Sequence, residues 1–236
     1  MRFVVTAGPT REFIDPVRFL SNPSTGRMGF AVARAARAAG HEVTLIAGPV
    51  ALKTPRGVRR VNVVSARDML AAVQAELNGT DALVMTAAVA DWRPARCASR
   101  KLKKSEMSGT LRLVRNPDIL KTINRQLHTG TTGVSPVALI RIGFAAETGA
   151  PTAEAVRKCR EKGLDLVVGN DVTARGSGFG TTTNRVTFVT PDGRVQHLPL
   201  MSKLAVARRI VSFAEAAVAA RPPYQPVAAQ RKGANA

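Results

Sequence analysis

The first half of the chain alternates between short apolar runs and amphipathic segments. Residues 27–39 are rich in alanine and predict a helix, and a second helix is predicted from Ser65 to about residue 79. Residues 9–25 are polar and predict a long loop. Four runs are short, apolar and rich in β-branched residues, which is typical of buried parallel strands: residues 2–7, 42–47, 59–64 and 81–88.

The second half continues the alternation. A β-hairpin is predicted around Pro191, Asp192 and Gly193, between the runs 185–190 and 194–198. The other predicted elements are strands over 111–115, 137–144 and 164–169, a helix that opens at Pro117, and helices over 152–162 and 202–219. The pattern predicts an α/β fold, a Rossmann-like, doubly wound, mostly parallel sheet with a small β-hairpin extension.

The same pattern predicts one Rossmann-like domain over residues 1–220. Within it, residues 93–110 are rich in Arg, Lys and Ser and predict a mobile lid. Residues 221–236 predict a disordered tail. No apolar stretch approaches the ~20 residues that span a bilayer, and the apolar start is too short for a signal sequence. We therefore expect a cytoplasmic protein with no membrane partner.

The charge of the chain is strongly basic, with 35 basic and 16 acidic residues and a net charge of +19. Such a surface favours anions, either a polyanionic substrate or a nucleic acid, but solvated surface charge is the favoured explanation for most of the excess. The basic residues are spread along the chain and no nucleic-acid-binding module is recognisable, so a nucleic-acid partner is not expected. The two cysteines indicate no disulfide framework.

The segment from Ser24 to Gly29 is a candidate phosphate-binding site, because its two glycines lie at the start of a predicted helix. A helix N-terminus offers free N–H groups and a favourable dipole to phosphate, although glycines before a helix are often only a turn. The second strand ends at Ala47-Gly48 without the acid that an NAD ribose requires, and no P-loop string occurs. The histidines and cysteines lack metal-ligand spacing. A nucleotide fold without redox machinery remains.

Several ordered motifs carry a resemblance to a known family, the phosphopantothenoylcysteine synthetases. They are TAGPTREFIDPVRFLSNPSTGRMGFAVARAA (6–36), GPV (48–50), AAVADWRP (87–94), KLKK (101–104), NPDIL (116–120), GFAAET (143–148), LDLVVGND (164–171) and LPLMSK (198–203). The resemblance implies a ligase that joins 4′-phosphopantothenate to cysteine through an acyl-cytidylate, with release of pyrophosphate and CMP. It also implies CTP and Mg²⁺, a homodimer, and a stand-alone form without the flavin-dependent decarboxylase domain.

The resemblance assigns catalytic roles to Asn22 and Lys101, the latter as a phosphate-neutralising lysine in the lid. The alternative, non-catalytic interpretations are that Asn22 only forms a turn and that Lys101 is only a solvated surface residue. Substrate binding is implied for Asn22 and for four more residues: Arg18, Ala87, Ala88 and Asp91. In the family, the arginine that matches Arg18 contacts the substrate phosphate across the dimer interface. A surface arginine and a capping acid are the competing interpretations of Arg18 and Asp91.

Nucleotide binding is implied for a larger set of residues. Phe144 would pack beside the base, and Lys158 and Lys162, four residues apart on one helix face, would lie near the triphosphate. A buried strand-end Phe and a basic helix face are the alternatives. The full set is Ser24, Gly26, Gly29, Met85, Thr86, Ala87, Asp91, Pro117, Asp118, Ile119, Leu120, Phe144, Lys158, Lys162 and Asn170. No metal ligands are assigned.

Two departures from the family pattern stand out. The string GFGTTTN (178–184) has Thr182 where an acid is frequent, and Gly169 stands where many members have Ala. Three alternatives stay open at this point: the same fold using ATP or acting on another acid, a non-catalytic nucleic-acid-binding protein, and an NAD(P)-dependent reductase.

Overall fold

The structure, a computed structural model, describes residues 1–106, 109–130, 139–149 and 151–221. The strands within these residues are β1 (Arg2–Ala7), β2 (Arg11–Phe13), β3 (Phe19–Ser21), β4 (Glu42–Ala47), β5 (Arg59–Asn62), β6 (Ala82–Met85), β7 (Trp92–Pro94), β8 (Leu113–Arg115), β9 (Ile140–Glu147), β10 (Leu166–Asp171), β11 (Thr183–Asn184), β12 (Val186–Val189), β13 (Val195–His197) and β14 (Met201–Ser202). The α-helices are α1 (Arg27–Ala38), α2 (Ala66–Glu76), α3 (Ile119–His128), α4 (Thr152–Glu161) and α5 (Lys203–Ala219).

Eight strands form the central sheet, in the order β13-β12-β10-β9-β6-β1-β4-β5. The six strands from β10 to β5 pair in parallel, whereas β12 and β13 form an antiparallel hairpin at one edge. This confirms the predicted fold class, including the hairpin extension. Because β1 pairs with β4 on one side and β6 on the other, a crevice is expected beyond the carboxyl ends of β1 and β6, where such folds bind ligands.

Helices cover both faces of the sheet because successive strand residues point to opposite sides. Val5 and Val84 belong to the cluster that includes buried residues of α1 and α5. Their neighbours Val4 and Leu83 belong to the cluster that includes buried residues of α2 and α3. A third cluster, around Cys159, joins α4 to β10. Both faces are therefore closed, and ligand access is left to the strand ends.

Two segments predicted as irregular contain strands. The expected loop over 9–25 includes the antiparallel pair β2–β3, with Phe13 and Phe19 in edge-to-face contact at 5.4 Å between ring centroids. The expected lid over 93–110 begins within β7, which pairs with β8, and the backbone N–H of Ala98 donates to the carbonyl of Ile14 at 2.9 Å. Strands β2, β3 and β7, which lie in these two segments, have three residues each and are too short to show a period-2 pattern in the sequence.

Several predicted boundaries were wrong by a few residues. The helix expected to open at Pro117 begins at Ile119, because the Asp118 carboxylate caps it by accepting the N–H of Lys121 at 3.1 Å. Strand β6 ends three residues early, at Met85. Strand β9 extends to Glu147. The start of the strand predicted over 137–144 and the tail predicted from residue 221 lie outside the described residues, apart from residue 221 itself.

Candidate active site

Helix α1 begins at a glycine turn directly above the ends of β1 and β6. Gly26, the N-cap, has φ +77°, a left-handed conformation that favours glycine. Gly29 lies in the first turn, where a β-carbon would be 2.5 Å from both Ala7 Cβ and Thr86 Oγ1. No side chain caps the helix and its first turn holds no acid. Its N–H groups and dipole are therefore open to an anion.

Two threonines, the buried Thr6 and the half-buried Thr86, hold the loops beyond the strand ends in place. The Thr86 hydroxyl donates to the carbonyl of Thr6 at 2.5 Å, and the N–H of Ala87 donates to the Thr6 hydroxyl at 3.2 Å. Asn22 donates from Nδ2 to the carbonyl of Ala88 at 3.0 Å, which ties the loop after β3 to the end of β6. The predicted catalytic asparagine thus lies beside the predicted substrate-binding alanines.

The first cavity, which we term the glycine-turn cavity, opens between the start of α1 and the loop over residues 177–184. Asn170, at the end of β10, is only 7% exposed, and its side chain makes no hydrogen bond within the described part of the chain. The N–H donors and the oxygen of this side-chain amide can therefore hydrogen-bond to a ligand in the cavity. The lining residues are Ser24, Thr25, Gly26, Arg27, Met28, Gly29, Thr86, Ala87, Ala88, Phe144, Ala146, Asn170, Gly178, Phe179, Asn184 and Lys203.

The second cavity, which we term the lysine cavity, has a volume of about 200 Å³ and adjoins the first. Phe144 and Ala87 line both cavities, so they stand at the boundary between them. Its lining residues are Met85, Ala87, Val89, Ala90, Asp91, Asn116, Pro117, Asp118, Ile119, Leu120, Phe144, Lys158 and Lys162. Together the two cavities occupy the crevice that the strand order predicts.

Both lysines of the lysine cavity are paired with carboxylates. Lys162 Nζ lies 2.8 Å from Asp118, and Lys158 Nζ lies 3.4 Å from Glu147 and 3.9 Å from Glu154. Burial acts to raise the pKa of Asp118, but the hydrogen bonds from Lys162 and from the N–H of Lys121 outweigh it, so the pKa is lowered. The positive charge of these lysines is already balanced before any ligand binds.

Arg18 is held by its own chain. Its guanidinium donates to the Asp15 carboxylate at 3.0 and 2.5 Å and to the carbonyl of Leu102 at 2.9 Å. Asp15 is fully buried and also accepts the N–H of Leu102 at 3.2 Å. These contacts hold Leu102, in the middle of the predicted lid and next to Lys101, against the β2–β3 hairpin.

The structure gathers most of the predicted site residues. All fifteen positions predicted to bind nucleotide, together with Ala88, line one or both cavities, and Asn22 borders them through Ala88. Arg18 and the exposed Lys101 line neither. Sequence reasoning missed Arg27 and Lys203, which line the glycine-turn cavity. Their signal was present: each is a cation at the first residue of a helix, where the dipole disfavours positive charge.

A dedicated metal cage is not seen in the described ranges, where no group of three or more His, Cys, Asp or Glu side chains could hold a metal ion. Asp91 and Asp118 do line one cavity. Mg²⁺ usually keeps several waters and takes one or two carboxylates together with substrate phosphates. The donor set fits Mg²⁺ that arrives with a nucleotide. Across the same described residues, no helix is long and apolar enough to cross a bilayer.

Comparisons with known proteins agree with this geometry. Residues 1–217 match the family described as DNA/pantothenate metabolism flavoprotein C-terminal domain. The chain is 44% identical over 210 residues to the coenzyme A biosynthesis bifunctional protein CoaBC of Vibrio vulnificus (strain YJ016), covering 88% of this chain and 50% of that protein. The chain thus spans about half the length of the curated relatives it matches.

Two solved structures are similar. The crystal structure of the C-terminal domain of coenzyme A biosynthesis bifunctional protein CoaBC has a TM-score of 0.74 and 40% identity, covering 91% of this chain and 94% of that one. The Cab2 mutant H337A in complex with phosphopantothenate-cysteine has a TM-score of 0.73 over 92% of this chain and 87% of that one. At 15% identity, it shows the shared fold alone. The chain belongs to the DNA/pantothenate metabolism flavoprotein C-terminal domain family.

Proposed function

We propose that this protein is a phosphopantothenate–cysteine ligase of coenzyme A biosynthesis. The observation that carries the proposal is the junction of two cavities at Phe144 and Ala87, above the carboxyl ends of parallel strands. One cavity offers an uncapped helix N-terminus, and the other offers carboxylate-paired lysines and a capped turn. Family membership and the motifs that line both cavities support this assignment, and Cab2, which shares the fold, was solved with phosphopantothenate-cysteine.

The reaction proceeds in two steps. A carboxylate oxygen of phosphopantothenate attacks the α-phosphorus of CTP, the α–β phosphoanhydride bond breaks, and pyrophosphate leaves. The cysteine amine then attacks the acyl carbon, the bond to CMP breaks, and the amine loses a proton. Activation is necessary because a carboxylate is anionic and lacks a good leaving group. The protein must bring anions together and stabilise the developing charge.

The residues share this work between the cavities. The nucleotide spans both cavities. Its base lies in the lysine cavity, with Phe144 beside it and the turn at Pro117 to Leu120 around it, and its phosphate chain extends into the glycine-turn cavity. The acyl group reaches Asn22 and the alanines at the end of β6. Bound Mg²⁺ would supply charge neutralisation to the phosphates, with Asp91 as its protein carboxylate. Lys101 closes over the intermediate when the lid moves.

A homodimer is part of the proposal. Phe19 on β3 and Trp92 on β7 are 38% and 45% exposed, large values for aromatic side chains, and Val17, Leu111 and Leu113 near the same two hairpins are exposed as well. Such an apolar patch favours association with a second copy. A second copy would place Arg18 near a substrate phosphate across the interface, as the family resemblance implies. We expect the dimer to act in the cytoplasm.

The test is the complete reaction. Purified protein receives 4′-phosphopantothenate, Mg²⁺ and either CTP or ATP, with and without cysteine, and products are identified by mass. Cysteine-dependent phosphopantothenoylcysteine with CMP from CTP supports the proposal in full. Preference for ATP keeps the reaction and replaces the nucleotide. Absence of turnover with either nucleotide, from folded dimeric protein, contradicts the proposal.

A further inference from the structure

A third cavity lies on the outer side of the glycine turn, which we term the basic cleft. It has a volume of about 580 Å³ and lies between the start of α1, the start of α5 and residues 52–55. Arg27 and Lys203 line both this cleft and the glycine-turn cavity, so the two spaces adjoin there. The lining residues of the cleft are Arg27, Phe30, Ala31, Arg34, Leu52, Lys53, Pro55, Thr182, Ser202, Lys203 and Leu204.

Charge distinguishes the basic cleft from the lysine cavity. Four of its lining side chains are cationic, and no described residue that lines the cleft or the glycine-turn cavity is Asp or Glu. The lysines of the lysine cavity, by contrast, are balanced by Asp118, Glu147 and Glu154. Uncompensated positive charge is therefore concentrated at the junction of the cleft and the glycine turn, where an anion gains most.

Lys203 is the most unusual of these cations. It is 7% exposed, and its Nζ donates to the carbonyl of Gly178 at 2.9 Å, a neutral acceptor that uses one of its three N–H donors. Burial, with a further contribution from the positive charge of Arg27, lowers the pKa of Lys203. A buried lysine normally has an anionic partner, and here the cavity is the place from which one can come.

The positions of the two cations in the chain support the same conclusion. Arg27 is the first residue of α1 and Lys203 the first residue of α5, and neither helix has an acid in its first turn. A cation at a helix N-terminus opposes the helix dipole. The start of α1 has no side-chain cap, whereas at the start of α5 the N–H of Lys203 donates to the carbonyl of Thr182 and the N–H of Ala205 donates to the Ser202 hydroxyl. Two cations held at helix N-termini beside one space form an environment whose unfavourable charge an oxyanion would relieve.

We propose that Arg27 and Lys203 form a phosphoryl subsite at this junction, which binds the phosphate chain of the nucleotide and then the pyrophosphate that leaves toward the basic cleft. The choice of occupant rests on the proposed function. The subsite itself is a statement about polyphosphate binding and needs no turnover. Lys203 and Arg27 act as binding residues for the leaving group, beyond the nucleotide contacts that the sequence implies.

The experiment is calorimetric titration of the full-length protein with inorganic pyrophosphate alone, and separately with CTP. The variants are Arg27→Met, Lys203→Met and Lys203→Arg, with Arg209→Met as a matched control on the exposed side of α5. We expect Arg27→Met and Lys203→Met each to weaken pyrophosphate binding about tenfold or more, as for loss of a charge-assisted hydrogen bond. Lys203→Arg should retain much of the affinity, and Arg209→Met all of it.

A structural role for Lys203 makes a different prediction. If its only task is to hold the carbonyl of Gly178, Lys203→Met lowers the melting temperature while Arg27→Met, an exposed change, binds pyrophosphate as the wild type does. That result, or wild-type affinity in both variants, overturns the subsite. Equal weakening for CTP and pyrophosphate places the nucleotide chain there, whereas weakening for pyrophosphate alone identifies an exit position. Pyrophosphate binding at these residues without any ligation would retain the subsite and reject the proposed function.

Discussion

Replacing Gly29 with alanine tests whether α1 must touch the strand ends for the site to form. The new β-carbon would lie 2.5 Å from Ala7 Cβ and Thr86 Oγ1 and 2.8 Å from the carbonyl oxygen of Thr6. One of these atoms is backbone and the others belong to the short side chains of the buried Ala7 and the half-buried Thr86, so no long flexible side chain can move aside. The helix must shift outward by about an ångström to reach ordinary contact distance.

The expected destabilisation follows from three contributions. Overpacking a tight interface costs about 1–3 kcal/mol. Disturbing the hydrogen bond from Thr86 to Thr6 costs about 1 kcal/mol more. The better helix propensity of alanine returns about 1 kcal/mol. The net loss is therefore about 1–3 kcal/mol, which for a chain of this size lowers the melting temperature by roughly 2–12 °C.

Thermal unfolding followed by circular dichroism measures the effect, and CTP titration measures its consequence for the site. Because the displaced helix carries the anion-binding N–H groups, we expect CTP affinity to fall by about tenfold or more. Gly109→Ala is the matched control for stability, since nothing lies within 4 Å of a β-carbon there. A Gly29→Ala protein as stable as the wild type would refute direct helix–sheet contact as the reason for this glycine.

Three further predictions concern the site and its support. Asn170→Ala should change the free energy of unfolding by less than about 1 kcal/mol, because its amide makes no hydrogen bond within the described chain, yet weaken CTP binding about tenfold; denaturant unfolding beside calorimetry checks both. Asp118→Ala should remove the cap of α3 and cost about 1 kcal/mol of stability. Asp118→Asn keeps a capping oxygen but no longer balances the charge of Lys162. We therefore expect the Ala variant to melt at a lower temperature than the Asn variant, and the CTP affinity of both variants to change by the same factor. Hydrogen bonding from Arg18 holds the pKa of Asp15 well below its usual range. The ionised carboxylate therefore stabilises the fold above about pH 4, and this stabilisation is lost as the pH falls through the lowered pKa. Asp15→Asn should be less stable than the wild type at pH 7, and the difference in stability should close in acid; a difference that persists unchanged in acid would contradict this.

The sheet and the crevice could be predicted because parallel strands are long, apolar and punctuated by glycine or proline. Thr86 directly follows β6 and Asn170 lies near the end of β10, so their convergence at one sheet edge is a consequence of topology alone. Strand β8 lies within the strand predicted over 111–115, but β2, β3 and β7 were not predicted, since each has only three residues. Their pairing depends on tertiary contacts, among them the hydrogen bond from Ala98 to Ile14.

The electrostatics of the site were the property that the sequence predicted least well. The sequence presents Lys158 and Lys162 as free cations on a helix face, but the fold pairs them with carboxylates from other elements, such as Glu147 of β9. Conversely, Lys203 looks like an ordinary residue at the start of an amphipathic helix. Only the fold shows that it is buried without a carboxylate, because its neighbours at Gly178 and Arg27 are distant in sequence.

In the proposed reaction, one site at the ends of β1 and β6 activates a carboxylate with a nucleotide before cysteine reacts. The most direct test is a single-turnover reaction without cysteine, in which wild-type protein, 4′-phosphopantothenate, Mg²⁺ and CTP are quenched and analysed by mass. We expect about one pyrophosphate per site together with phosphopantothenoyl-CMP, and conversion of that intermediate to product and CMP when cysteine is added. Pyrophosphate and acyl-nucleotide that appear only in the presence of cysteine, or not at all, would contradict it.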